Sequence, residues 1–204
     1  MKKELRYFKA ELRVSSEGDA PKKICGYAAR FNEFSEMMGW FREKIAPGAF
    51  AEALKSSDAR ALFNHDPNHV LGRESAGTLS LREDDAGLFY EITPPDTQWA
   101  RDLVASIERG DIKESSFAFS MAGGIEEWDD SVEPRVRTLH RIGELFDVSP
   151  VTYPAYPGAT SGIRSLEDIL KDHEEDRKKQ RNRDDAPGFF IGIERARLDL
   201  AEIE

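Results

Sequence analysis

Ser115-Ser116-Phe117-Ala118-Phe119-Ser120 is a short apolar run between serines that reads as a β-strand. Successive side chains of an extended strand face opposite ways, so Ser115 and Ser116 point to opposite sides. Upstream lies Ala61-Leu62-Phe63-Asn64-His65-Asp66, downstream Leu145-Phe146-Asp147-Val148-Ser149-Pro150-Val151, and both also read as strands. In that order the chain supplies a histidine, a serine and a carboxylate, which is the inventory of a serine hydrolase.

A serine hydroxyl is a weak nucleophile at neutral pH and needs a base in hydrogen-bond reach, itself oriented by a third polar group. Of the four histidines, His173 lies in a charge run and His140 in an Arg-rich segment. His65 follows an apolar run and precedes the turn-forming Asp66-Pro67-Asn68, so it is expected where a strand gives way to a loop. Between adjacent Ser115 and Ser116 only one can face His65. Two acids precede Val148: Glu144 and Asp147 are three apart, so a regular strand turns them to opposite faces, and Asp147 is preferred as the partner of His65 over Glu144. Pairing of these acids with Arg137 or Arg141 stays open. His65, Asp66 and His69 together offer a metal-dependent hydrolase as an alternative, but Pro67 speaks against the helix that would align residues four apart.

Around these motifs the pattern is that of an α+β chain with a β-rich core. Strands are expected over Leu5–Val14 and Lys23–Phe31, a short helix over Pro47–Leu54, and a hairpin from Gly77–Arg82 and Gly87–Thr93 across Glu83-Asp84-Asp85-Ala86. Trp99, Ala100, Leu103, Val104 and Ile107 follow helical spacing up to Gly110, a C-cap residue. Met121-Ala122-Gly123-Gly124 opens a loop extended by Glu126–Ser131, an exposed hairpin or a gate, and Arg135–Val151 returns as one or two strands. Beyond Ser165 the character changes: 14 of the 20 residues from Leu166 to Asp185 are charged, too many to bury a core. The expected division is a core of residues 1–165 and a charged tail of 166–204, whose last part, Phe189–Glu204, regains apolar residues after the break at Asp184–Gly188.

The chain has 204 residues, 39% of them hydrophobic and 33% charged, with a mean hydropathy of −0.59. That suffices for one modest core and points to a soluble protein. No apolar run approaches the roughly 18 residues that cross a bilayer, and Met1–Arg6 lacks the apolar stretch of a secretory signal, so no membrane association is expected and the place of action is the cytoplasm. The 29 basic against 39 acidic residues give a net charge of −10, which argues against nucleic acid as a partner. The single cysteine, Cys25, sits in an apolar stretch and is expected to be a buried structural thiol. No bound metal or cofactor is expected.

A longer pattern ties the three motifs together. Gly26-Tyr27-Ala28-Ala29-Arg30-Phe31-Asn32, Glu43–Phe50, Leu62–Asp66 with Leu71-Gly72-Arg73, Gly77–Leu81, Asp85–Leu88, Ile107–Ile112, Ser116–Phe119 and Asp147–Pro157 follow one another in the order found in the prohead proteases of tailed bacteriophages, which the chain resembles from about Gly26 to Ser161. The resemblance implies a serine endopeptidase of phage head maturation. Its substrates are capsid and scaffold proteins, and the enzyme itself by self-cleavage. It implies His65 as general base, Ser116 as nucleophile and Asp147 at the position where the family usually has glutamate. It implies a mostly antiparallel β-barrel with peripheral helices, like that of herpesvirus capsid assembly proteases. From those relatives follow a homodimer and, because they use a second histidine, His140 as a further candidate third member. The working place becomes the assembling prohead inside the bacterial host. A tail that directs the enzyme into the prohead is another family feature. At the serine the family usually reads Ser-Phe-Gly-Phe, and Ala118 replaces the glycine here. Alternatively, the chain is an inactive relative that only binds scaffold.

Overall fold

Among the described residues strands far outnumber helices, and many of them bury apolar side chains against a shared core. The computed structural model describes residues 3–8, 12–16 and 21–153, together with 171, 173–175, 177 and 178. In chain order the described elements are β1 (Glu4–Phe8), β2 (Arg13–Ser15), β3 (Lys23–Arg30), β4 (Phe41–Ile45), α1 (Ala53–Ser56), β5 (Arg60–Phe63), β6 (Asp66–Arg73), β7 (Leu79–Asp84), β8 (Gly87–Ile92), α2 (Gln98–Arg109), β9 (Glu114–Ser120), β10 (Ile125–Asp129), β11 (Arg135–Arg141) and β12 (Glu144–Val151). By internal contacts the chain divides into two units, Met1–Ile163 and Arg164–Glu204. In the second unit the described residues are helical, and the apolar run from Phe189 lies outside the described residues.

The first unit is β-rich. Its described strands pair into three sheets, ordered β1-β9-β12-β5-β6, β10-β11-β4 and β2-β3-β8-β7. Phe117 and Phe119 of β9 are fully buried, stacked with centroids 5.1 Å apart, and Phe50 meets Phe117 edge-on at 5.3 Å. Around them pack Ile24, Leu88, Tyr90, Ile92, Leu145 and Val148, with Leu103, Val104 and Ile107 from α2. The helix ends where expected, at Gly110, whose φ of 84° is the left-handed cap conformation that glycine adopts without steric cost. Cys25 is buried in β3. Among the described residues no helix is long and apolar enough to cross a membrane.

Several elements depart from the sequence reading. The strand expected over Leu5–Val14 is two strands with different partners, since β1 pairs with β9 and β2 with β3. The helix expected from Pro47 begins only at Ala53, because Gly48 takes a φ of 84° and breaks the right-handed path. Asp66-Pro67-Asn68 is not the turn but the start of β6. Proline is tolerated there because β6 is the sheet edge and needs no ladder donor on its outer side. The turn lies two residues earlier, at Asn64 and His65. After Met121-Ala122-Gly123-Gly124 the chain forms the exposed hairpin, one of the two expectations there, with β10 paired to β11.

Candidate active site

Three neighbouring strands of the five-stranded sheet bring the candidate residues together. Ser116 sits in mid-β9 directly opposite Ser149 of β12. The other side of β12 runs parallel to β5, with Asp147 opposite Arg60, and β5 ends at the turn that carries His65. That turn is a two-residue hairpin loop with positive φ at both central positions, 53° at Asn64 and 58° at His65, the pattern of a type I′ connection. Asparagine suits the first place. Its amide also accepts from Thr152 N at 2.9 Å, while Asn64 N donates to Pro150 O at 3.0 Å, so the turn is tied to the end of β12. A histidine at positive φ is uncommon and places the ring over the sheet rather than at a loop tip.

The imidazole bridges serine and carboxylate. Nε2 lies 2.6 Å from Ser116 Oγ and Nδ1 lies 2.5 Å from Asp147 Oδ1. With Nδ1–H donating to the carboxylate, the Nε2 lone pair is left to accept from the serine hydroxyl. Two residues beyond Asp147, on the same face, Ser149 donates to Asp147 Oδ1 at 3.0 Å and stands 3.3 Å from His65 Nδ1. Lys3 Nζ donates to the other carboxylate oxygen at 2.8 Å. Asp147 is only 2% exposed. Burial pushes its pKa up, but the hydrogen bond and charge of His65 and the Lys3 ammonium outweigh it and hold the carboxyl below its usual range.

Ser115 faces the other way, as alternation requires: its Oγ is 2.7 Å from Tyr90 Oη in the core. Ala118 has an ordinary extended backbone, since Asn32, Asn64 and His65 are the described non-glycine residues with positive φ. The replaced glycine therefore demands no special conformation here. Glu144 does not reach the cluster, although the reason differs from the one read in the sequence. A bulge between Leu145 and Asp147 inserts Phe146, so Glu144 pairs with Ser120 and Asp147 with Ala118, residues of one face of β9. Glu144 and Asp147 thus share a face, and distance along the strand separates their roles. Ion pairing to Arg137 or Arg141 is not what occupies Asp147. His140 stands on β11, in a different sheet, with Nε2 2.8 Å from Glu127 Oε2. Asp66 and His69 pair with each other at 2.8 Å while His65 turns to the sheet, and among the described residues no three His, Cys, Asp or Glu side chains converge as a cation site. The sequence suggests oxyanion donors in the turn-rich segment 153–158 and in the backbone around Ser116, and of these residues 154–158 lie outside the described residues.

Ser149 and Lys3 were not singled out from sequence. Ser149 had a local signal, its two-residue offset from Asp147 in a strand. Lys3 is 144 positions away and had none.

No curated protein sequence matches the chain. The solved structure of the bacteriophage T4 capsid assembly protease is similar at a TM-score of 0.43 and 14% identity, over 74% of this chain and 99% of that one. The family model described as caudovirus prohead serine protease matches residues 9–172, a span that holds β2 to β12 and with them His65, Ser116 and Asp147. By that match over most of its length, the chain belongs to the family of caudovirus prohead serine proteases.

Proposed function

We propose that this protein is an endopeptidase in which Ser116 is the nucleophile, His65 the general base and Asp147 the group that orients and charges-balances the imidazole. The observation that carries the reading is the bridging imidazole, 2.6 Å from the serine oxygen and 2.5 Å from the carboxylate. In the proposed reaction Ser116 Oγ bonds to the carbonyl carbon of a peptide while its proton passes to His65 Nε2, leaving a tetrahedral oxyanion. Collapse breaks the C–N bond as His65 returns the proton to the departing amine. Water then repeats the sequence and frees the acyl group from Ser116. Asp147 stays ionised throughout and stabilises the imidazolium. Ser149 holds that carboxylate in place.

Family membership supports capsid and scaffold proteins as the substrates, cleaved inside the assembling prohead in the cytoplasm of the bacterial host, and self-cleavage is part of the same proposal. So are a core of residues 1–165 that carries catalysis, a tail of 166–204 that binds scaffold or is removed, and pairing of two copies. The barrel expected from the resemblance also stands as a proposal: the β-rich first unit supports it, while the described pairings form three separate sheets.

Intact-mass analysis of the wild-type chain and Ser116→Ala, each incubated with the scaffold-bearing capsid protein of the same phage, tests the assignment. Fragments from wild type alone are expected. Equal cleavage by both would remove Ser116 from the reaction, and cleavage by neither would favour an inactive, scaffold-binding relative.

A further inference from the structure

Ser116 is 0% exposed, although in the reading above a peptide carbonyl has to reach its oxygen. Strand β1 lies along the edge of β9 that passes the serine, antiparallel, with Leu5 opposite Ala118 and Tyr7 opposite Ser116. It closes that edge of the sheet, and it and the preceding Lys3 each touch the cluster. The carbonyl oxygen of Arg6 accepts from Ser116 Oγ at 2.9 Å, and Lys3 donates to Asp147 Oδ2 at 2.8 Å. A hydroxyl has one proton. While β1 is seated, Arg6 O competes with His65 Nε2 for the proton that the base must take. Ser116 Oγ meets the Arg6 carbonyl as a hydrogen-bond donor to its oxygen, the arrangement of a seated cover.

The inner side of β1 is built to leave without stranding charge. Glu4 and Arg6 are buried in a cluster with Glu43, Arg137 and Glu126: Arg6 Nε meets Glu43 Oε1 at 2.5 Å, Arg137 meets Glu4 at 2.9 Å and Glu43 at 2.7 Å, and Arg137 also pairs with Glu126. The strand brings one acid and one base to this cluster, so its departure leaves the cluster's net charge unchanged. Glu43, Arg137 and Glu126 keep one another as partners, which avoids the large penalty of an orphaned buried ion. The residues matched by the family model begin at position 9, past the end of β1.

We propose that β1 is a removable cover: it holds the edge of β9 in place of an extended peptide, and the serine becomes reachable when β1 is displaced. This rests on Ser116 being the nucleophile. A chain whose competent form is a minor population reacts more slowly by that fraction, so unseating β1, which frees the Ser116 proton for His65 and withdraws Lys3 from Asp147, raises the rate at Ser116.

The rate at which a fluorophosphonate probe labels Ser116 in the full chain tests this, with wild type compared to Leu5→Pro. Leu5 lies opposite Ala118, its replacement leaves Ser116, His65 and Asp147 in the sequence, and proline removes the N–H and the freedom a paired strand needs. Hydrogen exchange at the amides of residues 4–8 reports whether β1 is released. Labelling is expected to rise by about tenfold or more on release. In a second variant, Leu5→Cys with Ala118→Cys, the oxidised form is expected to label more slowly than the reduced form by a similar factor, which covers the case in which Leu5→Pro does not fold. Equal labelling with β1 seated and released, or oxidised and reduced, overturns the cover and leaves the nucleophile standing. Absence of label at Ser116 in every form, with the β1 amides exchanging freely, overturns the nucleophile itself and the cover with it.

Discussion

His65 Nδ1 and Asp147 Oδ1 lie 2.5 Å apart although 82 positions separate them in the chain, and the contact is made by the parallel run of β5 beside β12. Replacing the carboxylate by an amide keeps the shape but removes the negative charge and turns one acceptor oxygen into an NH2 donor, so the imidazole tautomer is no longer fixed. Asp147→Asn is expected to lower kcat on the order of 10^4-fold with a modest effect on KM. Glu144→Gln, one cross-strand pair further along the same face, is expected to stay within about threefold of wild type. Steady-state kinetics on a capsid-derived peptide decides between them, and a reversed order would move the third role to Glu144.

Asp147 also links pH to stability. Its folded pKa is depressed, so the stabilisation it gives is fully present above the unfolded carboxylate value of about 4 and is lost as pH falls through the lower folded value. Denaturant melts of wild type and Asp147→Asn should differ near pH 7, and the difference should shrink below about pH 4. A gap that widens on acidification would contradict the sign.

The turn at Asn64 offers a backbone test. Asn64 needs a φ of 53°, which glycine accepts freely and a β-branched residue strongly resists. Both Asn64→Gly and Asn64→Val lose the side-chain bonds to Thr152, so their difference isolates the conformation. Asn64→Val is expected to be less stable than Asn64→Gly by about 1–2 kcal/mol and less active, because His65 is carried by the same turn. Matched urea midpoints for the two would mean that the turn tolerates either.

Arg137 is fully buried between Glu4 and Glu43. Burial pulls its pKa down, and the surrounding carboxylates more than restore it, so it stays charged. Arg137→Met leaves those acids with too little positive charge and is expected to cost about 3–5 kcal/mol in urea unfolding. A loss under about 1 kcal/mol would show that the cluster relaxes or takes up protons instead.

Much of this was readable from local pattern. The two-residue alternation allowed only one of Ser115 and Ser116 to face His65 and the family motif favoured Ser116, which agrees with Ser115 meeting Tyr90 in the core, and the helical spacing before Gly110 marked α2 to within a residue. His65 and Asp147 could be named as candidates because both sit in motifs shared with the family. What escaped were features set by partners distant in sequence. Whether Leu5–Val14 is one strand or two depends on β9 and β3, and the contact of Lys3 with Asp147 exists only once β1 docks on the sheet. The alternation rule misplaced Glu144 because it assumes a regular strand, and Phe146 breaks the count.

That extra residue makes β12 unequally tolerant of a lost codon. Deleting Phe146 restores strict alternation and leaves Leu145 opposite Phe119 and Asp147 opposite Ala118, so the frame of the sheet survives. Deleting Val148, two positions on, draws Asp147 towards the core and offers an aromatic ring to His65. Thermal melts of the two deletion variants should rank them clearly, with the first near wild type and the second unfolded or inert. Within three positions, the same genetic event is a trim in one case and an inversion in the other.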